Sequence, residues 1–315
     1  MTHHKYSVIM MTYNQQDFVQ DALSAILAQD CPPLEILVSD DKSDDATFAR
    51  VTALVEAYRG PHKVLLNRNK KNMGITAHLN ACFRMCTGEL IIAASGDDIS
   101  VHGRARKIIE TYERDRPLLI HSRVDSATLN DGRPDPRFER IGLLQNPRIE
   151  DVARSMSLYI GATAAWARDI VDLFGDLPDR DCYEDLIFGF RAALEGRISF
   201  IDEQLVQYRV GQGASTLRQQ DFSRADWTEA RRKELRRSLV VLKERLRNAR
   251  TFGLTQGDTV IAALESAIAL AQARLNLHEA GADRRPLTGR LNYLTYAHAA
   301  ISEMLNYRNA LRRGM

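Results

Sequence analysis

Apolar and polar positions alternate along this chain in blocks rather than residue by residue. Tyr6 to Thr12, Leu34 to Ser39, Lys63 to Leu66, Leu90 to Ala94 and Leu118 to Val124 are short runs rich in apolar and β-prone residues. Each has the length of a buried strand. Between them lie segments whose apolar residues recur at helical spacing. From Asp17 to Ala28 these are Phe18, Ala22, Leu23, Ile26 and Leu27; from about Asp45 to Tyr58 they are Val51, Leu54, Val55 and Tyr58. Gly74 to Met85 and Arg104 to Arg114 read as further helices. Cys31-Pro32-Pro33, Gly60, Gly88 and Pro117 supply the stops. Strand alternating with helix predicts an α/β fold, a mostly parallel sheet flanked by helices. Near-continuous apolar strands fit a sheet covered on both faces.

The pattern then changes. Ser126 to Arg148 holds Asn130-Asp131-Gly132 and three prolines, which predicts a turn and a long surface loop of the kind that serves as a lid or acceptor-binding segment. Tyr159 to Ala167 reads as a small apolar strand, Tyr183 to Leu194 as a helix, and Ile198 to Val210 as one or two strands. After Gln219 the chain is helical by propensity: Arg224 to Arg250 lacks Gly and Pro, and Leu235, Leu239, Leu242 and Leu246 form an apolar stripe. Thr259 to Ala280 and Leu291 to Leu311 are the other helical stretches. The expected division is a catalytic domain over residues 1–220 and an α-helical C-terminal extension over 221–315. The plain reading of the extension is packing with a solvated basic face. The sharper readings are a homodimer through the C-terminal helices, or peripheral contact with an anionic membrane.

Composition narrows the field. The chain has 315 residues, 44% hydrophobic and 27% charged, with a net charge of only +2, so no global basic field points to nucleic acid. Cys31, Cys82, Cys86 and Cys182 form no Cys-x-x-Cys pair. Met1 to Tyr6 shows no charged start leading into an apolar signal core, and no uninterrupted apolar stretch approaches a membrane span. The expectation is a cytoplasmic protein, peripheral at the inner face of the membrane if the basic tail meets lipid.

Candidate chemistry sits where strands end. Tyr13-Asn14 follows the first strand, Asp40-Asp41 the second, Asn72 to Gly74 the third, and Ser95-Gly96-Asp97-Asp98 the fourth. In an open parallel α/β sheet, ligands bind outside the carboxyl ends of the strands. Any one cluster could be a helix cap. Together they gather carboxylates and amides along one edge. Carboxylates there suit a hard divalent cation such as Mn²⁺ or Mg²⁺, which takes one or two of them along with substrate phosphates.

In order and spacing, Ser7 to Asn14, Glu35 to Ser43, Asn72 to Asn80 and Gly88 to Asp98 resemble the family 2 glycosyltransferases of GT-A type nucleotide-diphospho-sugar transferase fold, over roughly residues 5–210. The resemblance implies a nucleoside-diphosphate sugar donor, a divalent metal and inversion at the anomeric carbon. Thr12, Tyr13 and Asp41 match positions that hold base and ribose, with Asn14 beside them; Asp41 would accept from the imide N–H of uracil or thymine. Asn72 and Gly74 match the segment that passes near the donor. Asp97 and Asp98 match the end of the Asp-x-Asp motif, whose first acid is replaced here by Ser95. On an extended strand the two would point to opposite faces, one to metal and one to ribose or sugar, with Asp98 the better metal ligand.

Asp181-Cys-Tyr-Glu-Asp185 resembles the Glu-Asp motif that makes Asp185 the catalytic base, with Glu184 at the sugar. Tyr208-Arg209 resembles a position before a flexible segment, here Gly211 to Thr216, whose Arg209 or Gln212 would touch diphosphate. The implied function is an inverting, metal-dependent transfer from a UDP-sugar to a hydroxyl on a glycan or lipid-linked acceptor in surface polysaccharide or lipopolysaccharide synthesis. The alternatives are a non-catalytic sugar-nucleotide-binding scaffold, favoured by the missing first acid, and a nucleotidyltransferase. Nucleotidyltransferases open with a Gly-rich phosphate loop, which Tyr13-Asn-Gln-Gln16 lacks.

Overall fold

The computed structural model describes residues 4–136, 138, 143, 147–210, 224–279 and 290–312. It forms two compact units, one of residues 1–148 and 157–216, the other of residues 149–156 and 217–315.

The first unit opens with β1 (Tyr6–Thr12), α1 (Val19–Leu27), β2 (Glu35–Asp40), α2 (Thr47–Ala57), β3 (Lys63–Arg68), α3 (Ile75–Met85) and β4 (Leu90–Ser95). A two-residue β5 (Ile99–Ser100), α4 (Arg104–Asp115) and β6 (Leu119–Asp125) follow. After α5 (Ile149–Arg154), which belongs to the second unit, come β7 (Ala165–Ala167), α6 (Asp169–Asp172), α7 (Glu184–Leu194) and β8 (Ile198–Gln207). The strands form one sheet in the order β3-β2-β1-β4-β7-β6-β8-β5. The β3-β2-β1-β4 half is wholly parallel. The other half is mixed: β7 runs antiparallel to β4 and β6, and β5 antiparallel to β8. Val8, Met10, Leu23, Ile36, Val38, Leu79 and Ile91 are at most 1% exposed, as a sheet covered on both faces requires.

Parallel register sets the geometry of the functional edge. Thr12 pairs with Asp40 and Met11 with Ser95, so β1, β2 and β4 finish level with one another. The segments that follow them emerge at a common rim. β8 joins the rim from the far side, because Gln207 pairs with Ile99.

The reading of Tyr159 to Ala167 as one strand is corrected. Gly161–Thr163 is a 3-10 turn, and only Ala165–Ala167 pairs in the sheet. The single division after residue 220 is corrected as well. Residues 149–156 join the helical unit because buried Arg245 donates to the carbonyls of Val152, Ala153 and Ser155, while Thr259 Oγ1 donates to Glu150.

The second unit consists of α5 with α8 (Arg224–Thr251), α9 (Thr259–His278) and α10 (Arg290–Arg312). By length and composition α9 is long and apolar enough to cross a membrane. It is interrupted by Glu265 and Arg274, and its Val260, Ile261, Leu264 and Leu275 are buried in the unit. At the junction of α8, α9 and α10, the Glu303 carboxylate accepts from Arg231 at 2.9 and 2.7 Å and lies 2.8 Å from His278 Nε2.

Candidate functional site

Asp41 stands at the end of β2, 5% exposed. Its backbone N–H donates to Thr12 O at 2.9 Å, which fastens it to the end of β1. Its Oδ1 accepts from Asn69 Nδ2 at 2.8 Å and Met73 N at 2.9 Å, and its Oδ2 from Gly74 N at 2.9 Å. Asn72 Oδ1 also accepts from Gly74 N, at 3.0 Å. The sequence-predicted Asp41, Asn72 and Gly74 therefore meet in one clasp. In this state Asp41 is already committed to a loop, with a single lone-pair position remaining on Oδ2. The hydroxyl of Thr12 donates to Asp40 at 3.3 Å. Tyr13 is half-buried and Asn14 is exposed at the rim, where Asn14 Oδ1 accepts from Asp44 N at 2.9 Å.

Asp97 and Asp98 lie in a bend between β4 and β5, not on an extended strand as expected. The face-to-face alternation of a strand therefore does not separate them. Gly96 allows the bend: a Cβ there would run into Gln15 Oε1 and meet Thr12 Cγ2 at 3.0 Å. That same Gln15 oxygen accepts from Tyr13 N at 3.2 Å, and the Gln15 side chain also bonds Asp97. Gln15 thus ties the end of β1 to the acidic bend. Both aspartates are buried, at 5% and 7% exposure. Burial raises the pKa of Asp97, against the pull of Arg209 and Gln15. Burial and then the Asp97 charge push Asp98 up to about 7.

Two arginines answer these acids. Arg209, after β8, donates its backbone N–H to Asp98 Oδ1 at 2.9 Å and its Nε to Asp97 O at 3.2 Å. Its guanidinium lies 4.3 Å from the centre of the Phe18 ring. Asn130 holds this segment on either side, donating to Tyr208 O at 2.7 Å and accepting from Val210 N at 2.9 Å. The sequence-predicted Gly211 to Thr216 segment with Gln212 lies outside the described residues. Arg104 is 1% exposed; it donates to Ser100 Oγ and Ala162 O, each at 2.9 Å, and its charge is felt by Asp98. Burial lowers its own pKa to about 10.

Arg104 also leads to the second acidic pair. Ala162 belongs to the turn that starts at Gly161, and a Cβ on Gly161 would meet Glu184 Oε1 at 2.9 Å. Glu184 and Asp185 open α7, where carboxylates favour the positive end of the helix. Glu184 is half-buried. Burial and the Asp185 charge push it up to about 8. Asp185 also raises the pKa of buried Tyr159, behind the dominant effect of burial. α3 fixes the approach to this pair: Thr76 Oγ1 donates to Arg180 O at 2.8 Å, and Asn80 exchanges bonds with Leu177 at 2.8 and 3.0 Å. The helix that begins beside the Asp41 clasp therefore also steers the chain into Glu184-Asp185.

Sequence reasoning missed Gln15, Thr76, Asn80, Arg104, Asn130 and Gly161. Arg104 carried one signal: an arginine within an amphipathic helix on the side that also holds Ala105, Ile108 and Ile109.

Among the described residues no group of three or more His, Cys, Asp and Glu side chains could hold a metal. The Asp97-Asp98 pair still fits a hard dication. Such an ion takes one or two carboxylates plus substrate phosphates, and two buried acids, the first of which raises the pKa of the second, are what a cation relieves.

Comparison with known proteins accords with this geometry. The family described as Glycosyl transferase family 2 matches residues 7–171, more than half of the chain. An uncharacterised glycosyltransferase of Nostoc sp. is 24% identical over 216 residues, 65% of this chain and 65% of its own. The poly(ribitol-phosphate) beta-N-acetylglucosaminyltransferase TarS of Staphylococcus aureus is 25% identical over 222 residues, 65% of this chain and 35% of its own. The chain spans less than two thirds of the length of such sequence relatives. The structure of TarS residues 1–349 with UDP-GlcNAc matches with a TM-score of 0.57 at 20% identity, covering 99% of this chain and 93% of that one. The mannosyltransferase PcManGT of Pyrobaculum calidifontis, solved with GDP-Man and Mn²⁺, gives 0.57 at 18% identity, covering 98% and 80%.

Proposed function

The chain belongs to glycosyl transferase family 2, with a GT-A type fold, and from that premise we propose that it transfers a sugar from a nucleoside-diphosphate sugar to a hydroxyl of a growing glycan, with inversion. The observation that carries this reading is the shared rim. Thr12, Asp41 and the Asp97-Asp98 bend leave level strand ends, and Arg209 closes on the bend from β8. Asp97 and Asp98 would hold the divalent cation, Mn²⁺ or Mg²⁺, with Asp98 as the principal ligand. When bound, that cation neutralises charge on the departing diphosphate.

The protein's own residues do the rest. Tyr13 and the Asp41 clasp receive the nucleoside. Arg209 is held by Asp98 and Phe18 where its cation faces the diphosphate. Asp185 accepts the proton of the acceptor hydroxyl as it attacks, a role that contributes about 10²- to 10⁴-fold in rate. Attack from the side opposite the leaving group inverts the anomeric carbon. Glu184, protonated near neutral pH, is a hydrogen-bond donor to sugar or acceptor rather than a second base. UDP is the proposed nucleotide, because the Oδ2 position left on Asp41 suits an imide N–H; TarS is a neighbour solved with UDP-GlcNAc. A polymeric acceptor is proposed from the name of TarS, which acts on poly(ribitol-phosphate).

The test is Asp185→Asn. Nucleotide release from UDP-GlcNAc, supplied with Mn²⁺ and candidate glycan acceptors, is expected to fall at least about 100-fold. The stabilisation by UDP in a thermal melt stays. Retained turnover removes Asp185 from the reaction. Binding without release in the unaltered protein, for every UDP-, dTDP-, GDP- and CMP-sugar tried, would favour a binding scaffold instead.

A further inference from the structure

The helical unit carries a charge and an apolar surface that sugar transfer does not use. Residues 217–315 hold 18 Lys and Arg against 10 Asp and Glu, whereas residues 1–216 hold 25 against 31. The small net charge of +2 thus conceals a balance of +8 in the C-terminal part and −6 in the rest.

The apolar surface lies on α10. Ala299 and Glu303 turn inward, at 0% and 5% exposure. On the opposite side Ile301, Met304 and Leu305 are 55%, 64% and 48% exposed. Their spacing of three and four residues makes them one stripe along the helix. His298 and Arg308 flank it, both exposed. The other large apolar side chains exposed among the described residues, such as Met73, Leu173 and Phe252, are scattered singly. Single exposed apolar residues are ordinary, whereas a grouped stripe calls for an occupant.

We propose that this face of α10 docks the protein on an anionic lipid surface. Ile301, Met304 and Leu305 enter the boundary between headgroups and acyl chains, and Arg308 with the basic balance of the unit engages lipid phosphates. Charge decides between this occupant and a second copy of the chain. Pairing two α10 faces sets one basic unit against another, while an anionic membrane attracts the same field. The inference stands apart from the transfer chemistry, since none of these residues belongs to the sheet edge.

Flotation of the full-length protein with vesicles tests it. Phosphatidylcholine vesicles containing phosphatidylglycerol are compared with phosphatidylcholine alone. The expected result is at least about tenfold stronger partition onto the anionic vesicles, weakening as salt is raised. The double variant Met304→Glu/Leu305→Glu loses about tenfold or more of that binding, with its far-UV spectrum and its stabilisation by UDP unchanged. Should the double variant not fold, Arg308→Glu carries the test, with an expected loss of about fivefold or more from one reversed charge. Equal partition onto both vesicle types overturns the proposal, as does unchanged binding by whichever variant folds. So does a wild-type dimer in light scattering that Met304→Glu dissolves, because then a second copy covers the stripe.

Discussion

Replacing Glu184 by glutamine isolates the electrostatic cost of the acidic pair at the start of α7. Glu184 moves from an ordinary value of 4.5 to about 8, because burial and the Asp185 charge both oppose its ionisation. Below pH 4.5 the folded and unfolded chains both hold the proton, and the group costs nothing. As pH rises toward 8 the unfolded chain releases its proton and the folded chain keeps it. The folded state then loses about 1.4 kcal/mol for every pH unit, and the loss levels off above pH 8. Summed from the unfolded value, the penalty is about 1 kcal/mol at pH 5 and about 3 kcal/mol at pH 7. A glutamine side chain has the shape of the protonated acid and does not titrate. Glu184→Gln is therefore expected to stabilise the protein more at pH 7 than at pH 5, by about 2.5 kcal/mol. In a domain of this size that is a difference in melting-temperature gain of about 5 to 10 °C, read from melts at the two pH values without nucleotide or metal. If Glu184 donates to sugar or acceptor as proposed, the same variant is expected to keep its transfer rate near pH 7 and to lack the decline above pH 8 expected of the unaltered protein. An equal stabilisation at both pH values would refute the reasoning, since it would mean that Glu184 titrates normally in the fold.

Arg104→Met removes a buried cation beside Asp98 and leaves Ser100 Oγ and Ala162 O without their donor. Chemical denaturation is expected to show a loss of about 3 kcal/mol, which Arg104→Lys restores in part because it returns the charge but not the fork. In the helical unit, desolvation opposes but Arg231 and His278 hold Glu303 down to about 2 from 4.5. A lowered acid contributes stability that is complete above pH 4.5 and fades as pH falls to 2. Calorimetry of Glu303→Gln should therefore show a helical unit weaker by up to about 3 kcal/mol at pH 7, with the difference vanishing near pH 2.

Much of the parallel half was legible because burial on both faces writes itself into the chain as runs such as Tyr6 to Thr12 and Leu90 to Ala94. The rim was legible for a related reason: when parallel strands end level, the polar residues that follow each run must meet. Asp41, Asn72 and Gly74 do so in one clasp, and Gln15 links the Tyr13 segment to Asp97. Other features left no periodic trace. β5 and β7 are two and three residues long, too short for a pattern, and exist because longer neighbours recruit them. The bend that holds Asp97 and Asp98 depends on Gly96 fitting against Gln15, a contact across the sheet edge. Asn130 on Tyr208 and Arg104 on Ala162 join residues 78 and 58 positions apart, and no local signal announces such partners. Residues 149–156 changed units for the same reason, through carbonyls taken up by Arg245, more than 90 positions on for Val152 and Ala153.

The two acidic pairs show why the rim reads as a site and not as a set of helix caps. A capping carboxylate at a helix N-terminus accepts N–H groups and has its pKa lowered. Asp45, ahead of α2, and Asp125, at the turn after β6, behave in the same way: Asp45 accepts from Thr47 N and Asp125 from Ala127 N and Thr128 N, and each is shifted down despite desolvation. Asp98 and Glu184 are shifted the other way, to about 7 and about 8, each with an acidic neighbour adding to the burden of burial. Raised acids destabilise the folded chain at neutral pH, so packing alone gives no reason to place them side by side. Arg104 stands between the two pairs, bonded beside one through Ser100 and to the turn that abuts the other through Ala162. An arrangement that costs stability at two linked points, on the edge where parallel α/β sheets bind ligands, supports the proposed role of this rim in holding a charged donor.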